Sequence, residues 1–582
     1  MSALSIQVPF PVFQDRDGQP LDNGYVWIGT ANLNPQTNPV VAYFNSALTI
    51  IAAQPLRTIN GYISNAGTPA QVYVDAVNFS ILVQDSKGTM VYNFPDGTGI
   101  SPDACGVTYD PPFTGGVAYP VCEVLEQTVS VKDFGATGDG VTDDTTAILT
   151  AIAASSGKRL VFPAGTYIVA SEIAISVPCF IDGETPFATV IKTTSATANI
   201  FKCTSGNVSI AGIAFESSVT RTAGSYLDTN SQSNVSLTNF KMTGAFRGIT
   251  IDGGAIVNIS SAGKIADIRE TVATTGRGIY ITGTCFSVSL FGIVMDNSGT
   301  QPQAGIYIDS SADVTMNTCN IIRQRVGMLI VPGTGQTVDT VWATNSYFDT
   351  STTGVQIAPT STGNVKNIKF TACWLSSHTG NGIDITGSAA ATISGVHLVD
   401  CEIKANTLAG LNVTDGTGLR DLQVIGGLYG NNTSGIAFAT AVAEFIINGA
   451  TLGRGGGVNG NSGFGINFIA AVSNCAISNN VIIGNVTGTI SFGAAPGAGV
   501  QCFGNAGFNP QGYASIAVTA SPFTYTAGNT SEMVYITGGT VSLVAVDGNS
   551  ILQDTNTTVQ IPAGKTVTVT YSSAPGMSKY RL

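Results

Sequence analysis

The clearest pattern along the chain is a glycine followed by alternating apolar and variable positions. It recurs as Gly248-Ile-Thr-Ile, Gly278-Ile-Tyr-Ile, Gly305-Ile-Tyr-Ile, Gly327-Met-Leu-Ile, Gly354-Val-Gln-Ile, Gly382-Ile-Asp-Ile, Gly410-Leu-Asn-Val, Gly435-Ile-Ala-Phe and Gly465-Ile-Asn-Phe, with Gly488 as a weaker tenth copy. The glycines are separated by 30, 27, 22, 27, 28, 28, 25, 30 and 23 residues, the spacing of stacked repeats. A second column runs about ten residues upstream, through Cys319-Asn-Ile, Ser346-Tyr-Phe, Cys373-Trp-Leu, Cys401-Glu-Ile, Gly427-Leu-Tyr and Ala450-Thr-Leu. Two or three short strands per repeat, with no helical period between them, predict a β-solenoid. Each coil buries its apolar face only by hydrogen-bonding to the next, about 4.8 Å away.

The flanks read differently. Residues 1–110 carry short strands at 24–28, 71–74, 79–83 and 90–94, separated by Asp-Gly, Asn-Gly and Lys-Gly turns, which predicts a small all-β domain. A Pro/Gly-rich linker covers 111–130. After Val131-Lys-Asp-Phe-Gly-Ala-Thr-Gly-Asp-Gly140 the pattern predicts one helix from Asp143 to about Ser155, capped by Thr142 and apolar along Ala147, Ile148, Ala151 and Ile152. The solenoid is expected over 131–505. Residues 506–582 lose the repeat, and strands such as Val541–Val546 and Thr566–Thr570 predict a C-terminal β-domain that covers an otherwise open edge.

Composition narrows the partners. Only 10% of residues are charged, Gly numbers 69, and the net charge is −12, so no basic face exists to displace counterions from a nucleic acid. No stretch of 18 apolar residues predicts a membrane span, and the N-terminus lacks the pattern of a secretory leader. Ten Cys without CxxC spacing, together with two His, predict buried free thiols suited to assembly in a reducing cytoplasm, with neither a metal site nor a cofactor. The acidic stretch at Asp139–Asp143 lacks the full series of calcium-loop ligands. Gly453-Arg-Gly-Gly-Gly457 reads as a turn, since no helix follows it.

Val131-Lys-Asp-Phe-Gly-Ala-Thr-Gly-Asp-Gly-Val-Thr-Asp-Asp144, with Val161-Phe-Pro-Ala-Gly-Thr-Tyr167 after it, resembles the entry motif of the pectate-lyase-like β-helix of phage tailspikes and capsule depolymerases. In that family the motif caps the helix and carries no chemistry. Gly24-Tyr-Val-Trp-Ile-Gly29, Gln54-Pro-Leu-Arg-Thr-Ile-Asn-Gly61 and Tyr92-Asn-Phe-Pro95 are similar to the head-binding domain of podovirus tailspikes. Ser521-Pro-Phe-Thr-Tyr525 and Val567–Pro575 resemble their C-terminal modules. The resemblance implies a right-handed parallel β-helix, a homotrimer, attachment to phage tail or head-connector proteins through residues 1–110, and a bacterial surface polysaccharide as partner. It places the protein on the virion tail, after synthesis in the host cytoplasm.

Strand alternation then selects candidate chemistry. With Cys401 and Ile403 inward, Asp400, Glu402 and Lys404 point outward; one coil earlier Ala372, Trp374 and Ser376 do so, and before them Asn345, Tyr347 and Asp349. Aromatic faces beside carboxylates suit a sugar site. Glu402 is expected as general acid and Asp400 or Asp349 as base, with Trp374, Tyr347 and His378 as contacts. Asp400 and Glu402 would lie about 6.5–7 Å apart along a strand, and Asp349 and Glu402 about 9.6 Å apart across two coils. A competing outward column holds Tyr280, Tyr307, Gln356, Asp384 and Asn412, with Asp309 nearby; Asp267, Arg269 and Glu270 form a charged cluster. Arg323 and Arg325 are candidates to pair with an acidic glycan. Three functions remain open: an endo-glycoside hydrolase, a polysaccharide lyase with His378, a Tyr or a Lys as base, and a non-cleaving adhesin.

Overall fold

The structure is a computed structural model and describes residues 11–75, 78–98, 105, 107–260, 264–266, 275–297, 299, 301–414, 418–454, 459–508, 513–528, 531–552 and 555–581. The chain divides into two compact units, Met1–Gln127 and Thr128–Leu582. In the first, a six-stranded antiparallel sheet runs in the order Thr68–Pro69, Tyr62–Asn65, Leu56–Ile59, Tyr25–Thr30, Asn78–Gln84 and Met90–Thr98. Alternation in Tyr25–Thr30 buries Val26 and Ile28 against Leu56, Ile63 and Val83. Of the expected strand at 71–74, Tyr73–Val74 pairs with Ala42–Tyr43.

The second unit opens with a parallel β-helix of three sheets. The first sheet has 15 strands, from Thr128–Ser130 to Val500–Phe503; the second has 14, from Asp139–Asp143 to Val481–Ile483; the third has 13, from Ile173–Ile175 to Gly488–Phe492. Each strand pairs in parallel with its counterpart one coil on. Inward residues fuse into one apolar core that runs from Val129 to Cys502. Eight free cysteines are buried. Cys105 and Cys122, in contrast to the expected free thiols, form a disulfide in the first unit.

Close approach between coils explains the repeated glycine. A methyl group at Gly248, Gly278, Gly327, Gly354, Gly382, Gly410 or Gly435 would lie 2.5–2.6 Å from the carbonyl oxygen of the next glycine in the column. Backbone meets backbone there, and only a residue without Cβ fits. At the last coil Phe464 pairs with Gly488 and Ile466 with Ile490, so Thr489 holds the column position and Gly488 is one residue out of register.

The predicted helix forms at Thr145–Ala154 and buries Ile148, Ala151 and Ile152 in the core. Its first residue follows Asp144, while Thr142 belongs to the strand Asp139–Asp143, so the expected cap does not form. Both acidic residues hold turns instead. Asp144 accepts hydrogen bonds from Thr137 N and Gly138 N. Asp139 accepts from Val141 N and Thr142 N, and these donors hold its carboxyl down at about 2. The acidic stretch is therefore occupied by the backbone itself. Residues 513–581 add two four-stranded antiparallel sheets with a separate core around Val534, Ile536, Val544, Val559, Val567 and Val569.

Replacing Gly354 with Ala places a methyl 2.5 Å from both Gly382 O and His378 Nε2. Overpacking of this kind costs about 1–3 kcal/mol. We expect a lower thermal midpoint, whereas Gly299→Ala, where nothing lies within 4 Å and the backbone is not left-handed, should leave it nearly unchanged.

Candidate functional site

The second sheet is built from three-residue strands, Tyr347–Asp349, Trp374–Ser376 and Glu402–Lys404, each with its middle residue buried: Phe348, Leu375 and Ile403. Their first positions align as Tyr347, Trp374 and Glu402, and their third as Asp349, Ser376 and Lys404. The outward column expected from alternation therefore forms. The Tyr347 and Trp374 rings lie 6.0 Å apart at 35°. Lys404 Nζ sits 4.0 Å from the Trp374 ring centre and donates to Glu402 Oε2 at 2.7 Å. Tyr347 is half exposed.

Four details depart from the alternation. Asp400 lies outside the strand, at a corner with φ of 50° that continues a left-handed column through Asn345, Ala372, Gly426 and Gly449. Its Oδ1 lies over Gly426 of the next coil, so the strand spacing to Glu402 does not apply. Asp349 pairs across two coils with Lys404, not with Glu402, which puts the Asp349 and Glu402 Cα atoms about 12 Å apart rather than 9.6 Å. Ser376 is covered.

His378 is the fourth departure. It does not lie at the rim of this face but inside the solenoid, 1% exposed. Its Nδ1 accepts from Ser351 N, and its own N donates to Asn406 Oδ1. It is one rung of a polar ladder through Asn297, Gln324, Ser351, His378, Asn406, Asn432, Asn461 and Asn485, each residue bonded to its counterpart one coil on. Burial drives its pKa down to about 4, and the imidazole is neutral. A catalytic base or a sugar contact at this position is excluded by its enclosure.

The arginine candidates separate. Arg323 is clamped bidentately by Asp296, with both hydrogen bonds at 2.8 Å. Arg325 reaches Gln301 O at 3.3 Å. Neither stands beside the Tyr347 and Trp374 rings in the register of the sheets.

The third sheet presents the competing column in register: Tyr280, Tyr307, Leu329, Gln356, Asp384 and Asn412. Asp384 accepts from Asn412 Nδ2 at 2.8 Å and Asn381 Nδ2 at 3.3 Å, and burial raises its pKa. At the other end, Tyr280 donates to Asp309 Oδ2 at 2.7 Å. Arg277 lies 4.1 Å from the Tyr280 ring centre and 3.5 Å from that of Tyr307. Arg247 and Arg277 escaped the sequence reading: both directly precede a glycine of the repeat column and lie two residues before a core isoleucine, so alternation alone gives them the inward phase. Asp267, Arg269 and Glu270 lie outside the described residues, as do positions 455–457 of the glycine-rich turn. Among the described residues no group of three or more His, Cys, Asp or Glu is arranged to hold a metal, and no helix is long and apolar enough to cross a membrane.

These features define a parallel β-helix with aromatic and charged outward faces, and residues 128–403 match the family described as rhamnogalacturonase A/epimerase, pectate lyase-like. Its fold is that of phage tailspikes. The chain is similar to a double mutant of the tailspike protein of E. coli bacteriophage HK620, with 13% identity, 83% of this chain and 98% of that chain covered, and a TM-score of 0.53. The same tailspike in complex with pentasaccharide gives 14% identity, the same coverage and a TM-score of 0.51. Tailspike protein 3 of bacteriophage CBA120 is 13% identical over 82% of this chain and 77% of that chain, with a TM-score of 0.46. No curated protein matches the sequence.

An unfolded histidine protonates near 6.5, while His378 in the folded chain stays neutral down to about 4. Between these values the unfolded state binds the extra proton, so stability falls as pH is lowered from 6.5 towards 4. Thermal midpoints measured across that window should fall less steeply in His378→Asn, which keeps a hydrogen-bonding rung without the titrating ring.

Proposed function

We propose that the protein is a homotrimeric phage tailspike that binds a bacterial surface polysaccharide and depolymerises it as an endo-glycoside hydrolase. Residues 1–110 attach it to the virion. The observation that carries the reading is the outward stack of Tyr347 and Trp374, with Glu402 in the same column and Asp349 on the neighbouring one. Aromatic rings offer flat apolar faces to pyranose rings, and two carboxyls supply proton transfer on either side of a glycosidic bond.

Glu402 and Asp349 form the working pair in this proposal. Asp400 is set aside because its carboxylate is turned along the corner towards Gly426. Glu402 Oε2 accepts from Lys404, so that oxygen is not the one that delivers a proton to the leaving group; Asp349 is assigned the acid role and Glu402 the base. The sugar in this proposal lies across the two coils between them, with room for the attacking water that inversion requires. Lys404 fixes the orientation of Glu402 and packs on Trp374.

A second reading, a non-cleaving adhesin, draws on the same contact: the Lys404 ammonium occupies one side of the Trp374 ring and holds Glu402 in an ion pair, leaving the half-exposed Tyr347 ring to meet the glycan. A panel of purified capsules and O-antigens, sized by gel filtration after incubation with the full chain, separates the two. Shortened glycan is expected from the wild type. Glu402→Gln and Asp349→Asn should each slow shortening at least a hundredfold, in the range of general acid or base loss, while retaining glycan binding. Trp374→Ala should weaken binding at least tenfold. Unchanged turnover in both amide variants removes the carboxylate assignment, and intact glycan with wild type leaves the adhesin.

A further inference from the structure

The third sheet carries two guanidinium groups that have no ion-pair partner among the described residues. Arg247 and Arg277 are paired in register on adjacent coils, about 4.8 Å apart along the backbone. Both are half-buried. Among the described residues no carboxylate comes within 4.0 Å of either, in contrast to Arg323, clamped by Asp296, and Arg159, paired with Asp182. Arg277 Nε makes one weak bond, to Gln303 Oε1 at 3.4 Å. Arg247 Nε is closed off from the surface with no protein acceptor among the described residues.

Like charges held side by side at reduced solvation repel, and their burial without a counter-ion is unfavourable. Burial, and next to it the charge of Arg277, lowers the pKa of Arg247. The attractive contacts are those to aromatic rings: Arg277 over Tyr280 and Tyr307, and Arg247 at 5.4 Å from Phe246 and from Tyr280. Asp228 one coil before Arg247 and Asp309 beyond Tyr280 provide carboxylates in the neighbourhood, but neither reaches a guanidinium: Asp309 Oδ2 is engaged by the Tyr280 hydroxyl while its Oδ1 is buried without a hydrogen-bond partner among the described residues, and Asp228 is engaged by Asn230 N and Asn199 Nδ2. The result is a planar cationic fork lying on aromatic rings, on an outward sheet face.

We propose that Arg247, Arg277, Tyr280 and Tyr307 form a subsite for a carboxylate-bearing sugar residue of the polysaccharide. The guanidinium forks meet the carboxylate in bidentate geometry, and the tyrosine rings take the pyranose face. This deepens the polysaccharide reading above and rests on it. It moves the acidic-sugar clamp expected at Arg323 and Arg325, which lie in the turn between Asn320–Ile322 and Val326–Ile330, to the first positions of Arg247–Asp252 and Arg277–Thr282.

The test uses the full chain and immobilised bacterial polysaccharides that are neutral, carboxylated or phosphate-bearing. Each carboxylated glycan is presented before and after chemical reduction of its carboxyls to alcohols. Wild type should bind at least one carboxylated glycan and lose tenfold or more in affinity when its carboxyls are reduced, with the native interaction weakening as salt rises. Arg277→Gln and Arg247→Gln should lose a similar factor on the native glycan and little on the reduced one. Arg277→Lys, which keeps charge without the fork, should recover part of the loss and serves if a glutamine variant fails to fold. Equal losses on native and reduced glycan, or wild-type binding confined to neutral or phosphate-bearing glycans, overturn the subsite while leaving the polysaccharide reading intact. Binding to none of the glycans removes both.

Discussion

Coil-to-coil backbone contact is the constraint on which the rest of the β-helix depends. Every strand inside the three sheets pairs with the coils before and after it, and at the glycine column the fit is so close that a Cβ would overlap the next carbonyl. A single coil has no core of its own. Burial of Phe348, Leu375, Ile403 and their neighbours becomes favourable only when the stack is in register. The same register fixes which outward side chains meet.

Polar groups inside the stack obey that register too. The ladder from Asn297 to Asn485 gives buried amide, hydroxyl and imidazole groups partners one coil on, so the turn between the second and third sheets is fastened by side chain to backbone. His378 is the rung that fits least well. Its Nδ1 is used, its Nε2 has no partner among the described residues, and its ring presses on Gly354. Burial of this ring makes the interior sensitive to acid at one coil, while neighbouring amide rungs do not titrate.

The outward faces differ in how their charges are resolved. On the second sheet Glu402, Lys404 and Trp374 satisfy one another, leaving Tyr347 as the open ring. On the third sheet Arg247 and Arg277 rest on aromatic rings without a carboxylate partner among the described residues, and Asp384 is held by amides with its pKa raised by burial. In the proposed reading, aromatic rings on these faces hold a glycan broadly and local charge selects it.

Much of this was legible in the residues. The glycine repeat gave the coil length, and alternation assigned Tyr347, Trp374 and Glu402 outward and Phe348, Leu375 and Ile403 inward, because a strand has a period of two and one face must be buried. Helix 145–154 was readable from its apolar face, though not its start, since Thr142 is drawn into a strand. The corners were not legible: the left-handed turn at Asp400 and the inward turn at His378 break alternation, and a local pattern carries no sign of where a strand ends within three residues. Nor were the partnerships of Arg323 with Asp296 or of Arg277 with Tyr307, which join residues about one coil apart in sequence. Periodicity and burial are local properties, so the sequence alone determined coils and faces; contacts between coils depend on how loops of unequal length set the register, and only the tertiary structure decided those.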